Sequence, residues 1–304
     1  MSTAETYLKP EVIRQVARLD LKAKFIVEGF LSGLHSSPFH GFSVEFSEHR
    51  KYSAGDDMRD VDWNVYAKTD RFYIKKFQAE TNLDGFLAID VSNSMGMTPH
   101  GEMTKLDYAI CLAASLGYLM IRQQDPVGLF AFSDRVRLSL PPKSRRSQLA
   151  NILTALESLK PEKVASDVAS SLHRIAETIK HRGLIMVFSD LMYPDALAGA
   201  DPIIEALRRF RHRGHDVIVF HILDQAEALF PFDGLLELED NETDAKLLVD
   251  ASGIRADYLE AVATLRDRYA AECGQSRIDY VPLHTGMPFD KALLSYLVSR
   301  RGRG

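Results

Sequence analysis

With 304 residues, 46% of them hydrophobic and 26% charged, the chain can bury a full core and sits near the size at which domains begin to split. A net charge of -5 gives no global attraction to polyanions, so nucleic acid and anionic membrane are excluded as partners unless a local basic patch recruits them. The cysteines, Cys111 and Cys273, are far apart and lack metal-ligand spacing, which excludes a disulfide framework and a zinc site and fits a reducing cytoplasm.

The first residues, Met1 to Val12, show no apolar stretch followed by small residues. No later run is long and uncharged enough to cross a bilayer, so a soluble, cytoplasmic protein is expected. Up to about Asn82 the pattern gives helices around Lys9 to Leu21 and Lys24 to Leu31, then a polar, aromatic, turn-rich stretch. We therefore expect an N-terminal helical/β extension over 1–82 and a main domain over 83–304.

From Gly85 onward strands and helices alternate. The order is strand Gly85 to Asp90, helix Lys105 to Arg122, strand Val127 to Phe132, helix Arg145 to Leu159, helix Asp167 to Lys180 and strand Gly183 to Phe188. Helix Pro202 to Arg211, strand Asp216 to Ile222, helix Ala256 to Cys273, strand Ile278 to Pro282 and helix Lys291 to Arg300 follow. Short β-rich runs separated by helices of this length predict right-handed crossovers, hence a doubly wound α/β fold with a mainly parallel sheet. Arg135 to Leu140, and Leu235 to Glu239 with Ala245 to Val249, read as short antiparallel strands that extend a sheet edge or form a flap.

The strand Gly85 to Ile89 ends abruptly in Asp90, Ser92 and Ser94, an acid and two hydroxyls at alternate positions. In a parallel sheet the strand-end loops converge on one edge, where oxygen ligands can meet a hard cation, Mg2+ or another divalent ion. Asp190, after the apolar run Leu184 to Phe188, holds the matching place on another strand, and Ser166 in the loop before helix Asp167 to Lys180 can add a hydroxyl or cap that helix. Two carboxylates about 4 Å apart repel by roughly 4 kcal/mol at an effective dielectric near 20, a penalty that a divalent ion removes. The competing reading is a capped helix start, with the serines bonding the free N–H groups of the turn.

Asp90-x-Ser92-x-Ser94 with Ser166 and Asp190 resembles the metal-ion-dependent adhesion site of von Willebrand factor A domains, with Ser166 where that pattern has threonine. The resemblance implies a Rossmann-type fold and an open coordination position that takes a partner's carboxylate. A second motif, Arg50-x-Tyr52-x-x-Gly55-Asp56-x-x-Arg59-x-x-Asp62-Trp63 followed by Phe77 and Glu80, resembles the bacterial DUF58 family. That family's C-terminal pattern appears in His221-x-Leu223-Asp224-x-x-Glu227, Asp240-x-Glu242 and Arg255-x-x-Tyr258. Members are often encoded beside MoxR-type AAA+ ATPases, so the resemblance implies a partner-binding role with such an ATPase or its client. The Arg50 to Trp63 motif reads as a structural clasp, Arg50 and Arg59 pairing with Asp56, Asp62 or Glu80 and Trp63 packed on the main domain, with a partner surface as the other reading.

The expected function is thus a non-enzymatic, Mg2+-dependent adaptor or co-chaperone. The alternative is a Mg2+-dependent hydrolase or phosphotransferase with Asp90 as nucleophile. Against it, the place two residues after Asp90, where dehalogenase-like phosphatases carry an acid-base aspartate, is Ser92. No phosphate-binding Gly-x-x-x-x-Gly-Lys-[Ser/Thr] loop occurs, and Ser92 and Ser94 lack the flanking glycines of a nucleophile elbow. The basic run Arg208 to Arg213 reads as a solvated helix end, and His212, His215 and His221 as surface or core residues rather than ligands.

Overall fold

The computed structural model describes residues 8–36, 49–51, 73–75, 83–98, 103–162, 167–192, 201–239 and 246–294. They divide into two compact units, one joining the described residues up to Gly33 with those from Leu83 onward, the other spanning 34–82. The expected N-terminal helices are a short α1 (Pro10–Arg14) and a longer α2 (Leu19–Ser36). Proline suits the first helical position of α1, and Ala23, Ile26, Val27 and Phe30 recur at helical spacing and are buried, so one continuous apolar face carries α2 past the expected break. Phe289 donates its N–H to the Leu8 carbonyl at 3.1 Å, which ties this segment into the first unit. In the second unit, β1 (His49–Lys51) and β2 (Tyr73–Lys75) pair antiparallel.

The first unit continues with β3 (Asp84–Asp90), α3 (Lys105–Arg122), β4 (Val127–Phe132), β5 (Val136–Lys143), α4 (Arg146–Ser158), α5 (Val168–Thr178) and β6 (Gly183–Ser189). Then come α6 (Pro202–His212), β7 (Asp216–Leu223), α7 (Gln225–Leu229), β8 (Leu235–Glu239), β9 (Lys246–Asp250), α8 (Ala251–Gln275) and β10 (Asp279–His284). Residues 289–294 are helical, the start of the helix expected at Lys291 to Arg300. Six strands form one sheet in the order β10-β7-β6-β3-β4-β5, parallel throughout except for β5, which pairs antiparallel with β4. This is the doubly wound, mainly parallel α/β fold that the alternation predicts.

Both faces of the sheet are covered, which is why its central strands read as unbroken apolar runs. Phe86, Ala88, Ile185, Val187, Val217 and Val219 pack with residues of α5, α6 and α8 in one buried cluster. Alternate residues, Leu87, Ile89, Met186, Phe188 and Phe220, are equally buried on the other side, where the Phe188 and Phe220 rings stack at 4.8 Å. The chain leaves β3 for β4 on one flank and returns to β6 on the other, so the carboxyl ends of β3 and β6 flank the switch in strand order. In open parallel sheets that crevice is where ligands bind.

β5 extends the sheet edge, whereas β8 and β9 form a separate antiparallel hairpin that exposes Leu235, Leu247 and Leu248. The basic run closing α6 is not a free patch: Arg208 pairs with Glu272, Arg209 with Glu177 and Arg211 with Asp216. His215 and His221 are core residues, and His212 lies at the surface. Among the described residues no helix is long and apolar enough to cross a membrane.

Candidate metal centre

Asp90 closes β3, and Asp190 follows β6, the neighbouring strand. Both side chains are buried, and they lie close enough for the charge of one to act on the other. One Asp90 carboxylate oxygen accepts the Ser92 N–H at 2.9 Å, and the other accepts the Ser189 hydroxyl at 2.6 Å. The Ser92 and Ser94 hydroxyls are 3.1 Å apart, and Ser94 lies near enough to Asp190 to favour its ionised form, so the oxygens of both serines lie between the two acids. A 3-10 turn, Asn93–Gly96, folds the serines back over the strand ends. Gly96 makes that turn possible, because a Cβ there would lie 2.4 Å from the Pro161 ring.

The loop expected to complete the set leaves from the same place. Glu162 donates its N–H to the Val91 carbonyl at 2.8 Å and forms a bridge with Ser92. Ser166 lies outside the described residues. Asp167, expected in the first turn of α5, is its N-cap, accepting the Ser170 N–H at 3.0 Å, which leaves the capping role assigned to Ser166 already filled.

Sequence reasoning missed Lys105. The first residue of α3 places its ammonium 2.8 Å from Asp190 Oδ2 and 2.8 and 3.1 Å from the two Glu227 oxygens. The side chains of Lys105, Asp190 and Glu227 are 0%, 2% and 15% exposed, so this is a buried ion-paired triad. The sequence carries only a local hint, a lysine at the first position of a helix, where a positive charge opposes the dipole, and it does not name the partners. Glu227 is held in turn by the capping box of α7, accepting the Asp224 N–H at 2.7 Å, and Thr285 donates to Asp224 at 3.2 Å. The His221 to Glu227 motif thus lies beside the two strand-end acids.

The two aspartates are driven in opposite directions. Burial, with the charge of Asp190 added to it, pushes the Asp90 carboxyl well above the usual carboxylate range. Burial alone would raise Asp190 as well, but the Lys105 ammonium beside it holds that carboxyl below the usual range. The same acids hold Lys105 protonated against a burial that would lower it. Burial pushes the His221 imidazole down to about 4, so it stays neutral where its ring meets the Tyr280 hydroxyl at 2.5 Å.

Backbone strain marks the same edge. Leu191, fully buried, adopts a left-handed φ of 51°, unfavourable for leucine, and is pinned by its N–H to Ser189 Oγ at 3.0 Å and by the Tyr269 hydroxyl on its carbonyl at 3.0 Å. Ser189 therefore supports both Asp90 and the turn that carries Asp190. Two buried carboxylates with two hydroxyls between them make a donor set that fits a hard divalent cation. Among the described residues no cluster of three His, Cys, Asp or Glu side chains is placed to hold a metal, so such a site depends on the serine hydroxyls.

The Arg50 to Trp63 clasp, with Phe77 and Glu80, lies outside the described residues, save for the backbone of Arg50 in β1. Asp240 and Glu242 of the C-terminal pattern also lie outside them. Arg255 donates to the Phe232 carbonyl at 2.7 Å and to Asp233 at 3.0 Å, and the Tyr258 ring packs against Phe230 at 4.6 Å, so this part of the pattern clamps the segment between α7 and β8.

A family model described as "Protein of unknown function DUF58" matches residues 48–268, a span that includes Asp90, Ser92, Ser94, Lys105, Ser189, Asp190, Asp224 and Glu227. An uncharacterized protein of Mycobacterium tuberculosis, Rv1480, is 24% identical over 296 residues, covering 96% of this chain and 90% of that protein. Among solved structures, the conserved hypothetical protein BatB from Bacteroides thetaiotaomicron is 18% identical over 73% of this chain and 100% of that one, with a TM-score of 0.48. An aerotolerance-related membrane protein from Bacteroides fragilis is 17% identical over 72% of this chain and 99% of that one, with a TM-score of 0.49.

Proposed function

We propose that this chain, which belongs to the DUF58 family, is a non-enzymatic, Mg2+-dependent protein-binding module that acts as an adaptor for a MoxR-type AAA+ ATPase or its client. One observation carries the reading: the oxygens of Asp90, Ser92, Ser94 and Asp190 meet at the carboxyl ends of β3 and β6, beside the switch in strand order. These side chains would hold the cation, with Ser166 as the further donor that the resemblance to adhesion sites implies. Bound there, Mg2+ supplies a coordination position that a partner's aspartate or glutamate can fill. The choice of a MoxR-type partner rests on the family resemblance. The two cysteines are buried and unpaired, which supports a reducing compartment such as the cytoplasm.

The non-enzymatic reading is supported at Asp90 itself. It is buried, and its two oxygens accept one hydrogen bond each, from Ser92 and Ser189, which fixes the carboxylate at the strand end. Two residues on, the Ser92 hydroxyl cannot act as acid and base near neutral pH.

The test is capture of partners from native lysate by the wild type and by Asp90→Ala, each with Mg2+ and with chelator. Enrichment of an AAA+ ATPase or its client by the wild type with Mg2+ alone supports the proposal. Equal capture in all arms, with both proteins folded, overturns it.

A further inference from the structure

A buried ammonium must be paired, and Lys105 spends its hydrogen bonds on Asp190 Oδ2 and on both oxygens of Glu227. The other Asp190 oxygen accepts the Met192 N–H at 3.3 Å. A cation arriving at Asp190 thus meets a carboxylate that already has a positive partner, whereas at Asp90 it meets one bonded to neutral donors only. Ammonium and metal ion repel each other and draw on the same carboxylate.

We infer that Lys105 is a positioning residue that sets the strength of the cation site, competing with the metal for Asp190, and that Glu227 tunes this competition by sharing the ammonium. The inference rests on the metal-binding reading above. It leaves the centre partly neutralised: Lys105 offsets one of the negative charges of Asp190 and Glu227, so the fold stands without metal and the cation is a reversible ligand rather than a staple. It also ties the centre to α7, because Glu227 caps that helix through the Asp224 N–H, and Asp224 is bonded to Thr285 just after β10. A cation held at Asp190 would weaken the Lys105 hold on that carboxylate and leave Glu227 as the main partner of the ammonium.

The experiment is calorimetric titration of Mg2+ into the full chain at one neutral pH, with urea unfolding in chelator as a second readout. Lys105→Met should bind Mg2+ tighter by about tenfold or more, since a unit positive charge has left the first neighbours of the site. Glu227→Gln, which keeps an acceptor for Asp224, should bind several-fold weaker, because the ammonium then falls to Asp190 alone. Lys105→Arg should stay near the wild type. A merely structural role would shift Lys105→Met and Glu227→Gln in the same direction, and that result, or unchanged affinity in both, overturns the inference while the metal site stands. Absence of saturable binding by the wild type overturns the metal-binding reading itself and this inference with it. Should Lys105→Met fail to fold, Glu227→Gln decides: weaker binding supports the inference, and unchanged or tighter binding overturns it.

Discussion

Asp90 and Asp190 hold matching places at the ends of adjacent parallel strands, yet one is surrounded by a backbone amide and hydroxyls and the other by a buried ammonium. Their carboxyls are driven apart accordingly, Asp90 upward by burial and the neighbouring charge, Asp190 downward by Lys105 in spite of its burial. The difference teaches that strand-end position supplies the geometry of an oxygen site, while its charge state is set by side chains that the topology brings in from elsewhere.

The largest break in the comparison comes from removing its cause. Lys105→Met leaves Asp190 and Glu227 buried without a counter-ion, and should cost about 3–5 kcal/mol of stability in chelator by urea denaturation. Adding Glu227→Gln should restore part of that loss, and a cost under about 1 kcal/mol would show that the ammonium is not the counter-ion.

The pH dependence of stability without metal sharpens the contrast by sign. Asp190, with its folded pKa below the unfolded value, contributes stability that is present at neutral pH and lost as pH falls through the folded value, so Asp190→Asn should flatten the acid arm. Asp90, with its folded pKa above the unfolded value, contributes stability that is full below the unfolded value and lost as pH rises through the folded one. Asp90→Asn should therefore flatten a loss that runs from the ordinary carboxyl value up to about 7 and levels off above it, and urea midpoints from about pH 3 to about pH 8 read both contributions. Like slopes in the two variants would erase the distinction.

Ser189 serves both sides of the centre. Ser189→Ala removes the hydroxyl bond to Asp90 and the acceptor of the Leu191 N–H, and should cost about 1–3 kcal/mol by the same denaturation. The smallest stability effect belongs to Ser94→Ala, under about 1 kcal/mol, because that half-buried hydroxyl bonds the neutral Ser92 hydroxyl. Its Mg2+ affinity should nevertheless fall, and a drop in stability without one in affinity would make Ser94 a structural serine.

What was legible in the sequence follows the range of the interactions. Helix Lys105–Arg122 and the central strands were readable because periodic or continuous apolar runs are local signals, and the strand-end acids stood out as abrupt ends to those runs. The start of α8 at Ala251 was missed because the Asp250 side chain caps it on Ser252, turning a stretch that reads as strand and loop into helix. Lys105 was hidden for another reason: its partners lie 85 and 122 residues away, and no local pattern encodes a pairing of that length. Ser189 was hidden by its position, a single hydroxyl ending an apolar strand, whose role exists only because β6 lies beside β3.

The most direct test of the central claim is equilibrium Mg2+ binding by the purified wild type and by Asp90→Ala, with thermal unfolding of both as a control for folding. The account predicts saturable one-site binding in the wild type that is lost in an Asp90→Ala protein that still folds. Absence of saturable binding in the wild type, or equal binding in the two proteins, would contradict it.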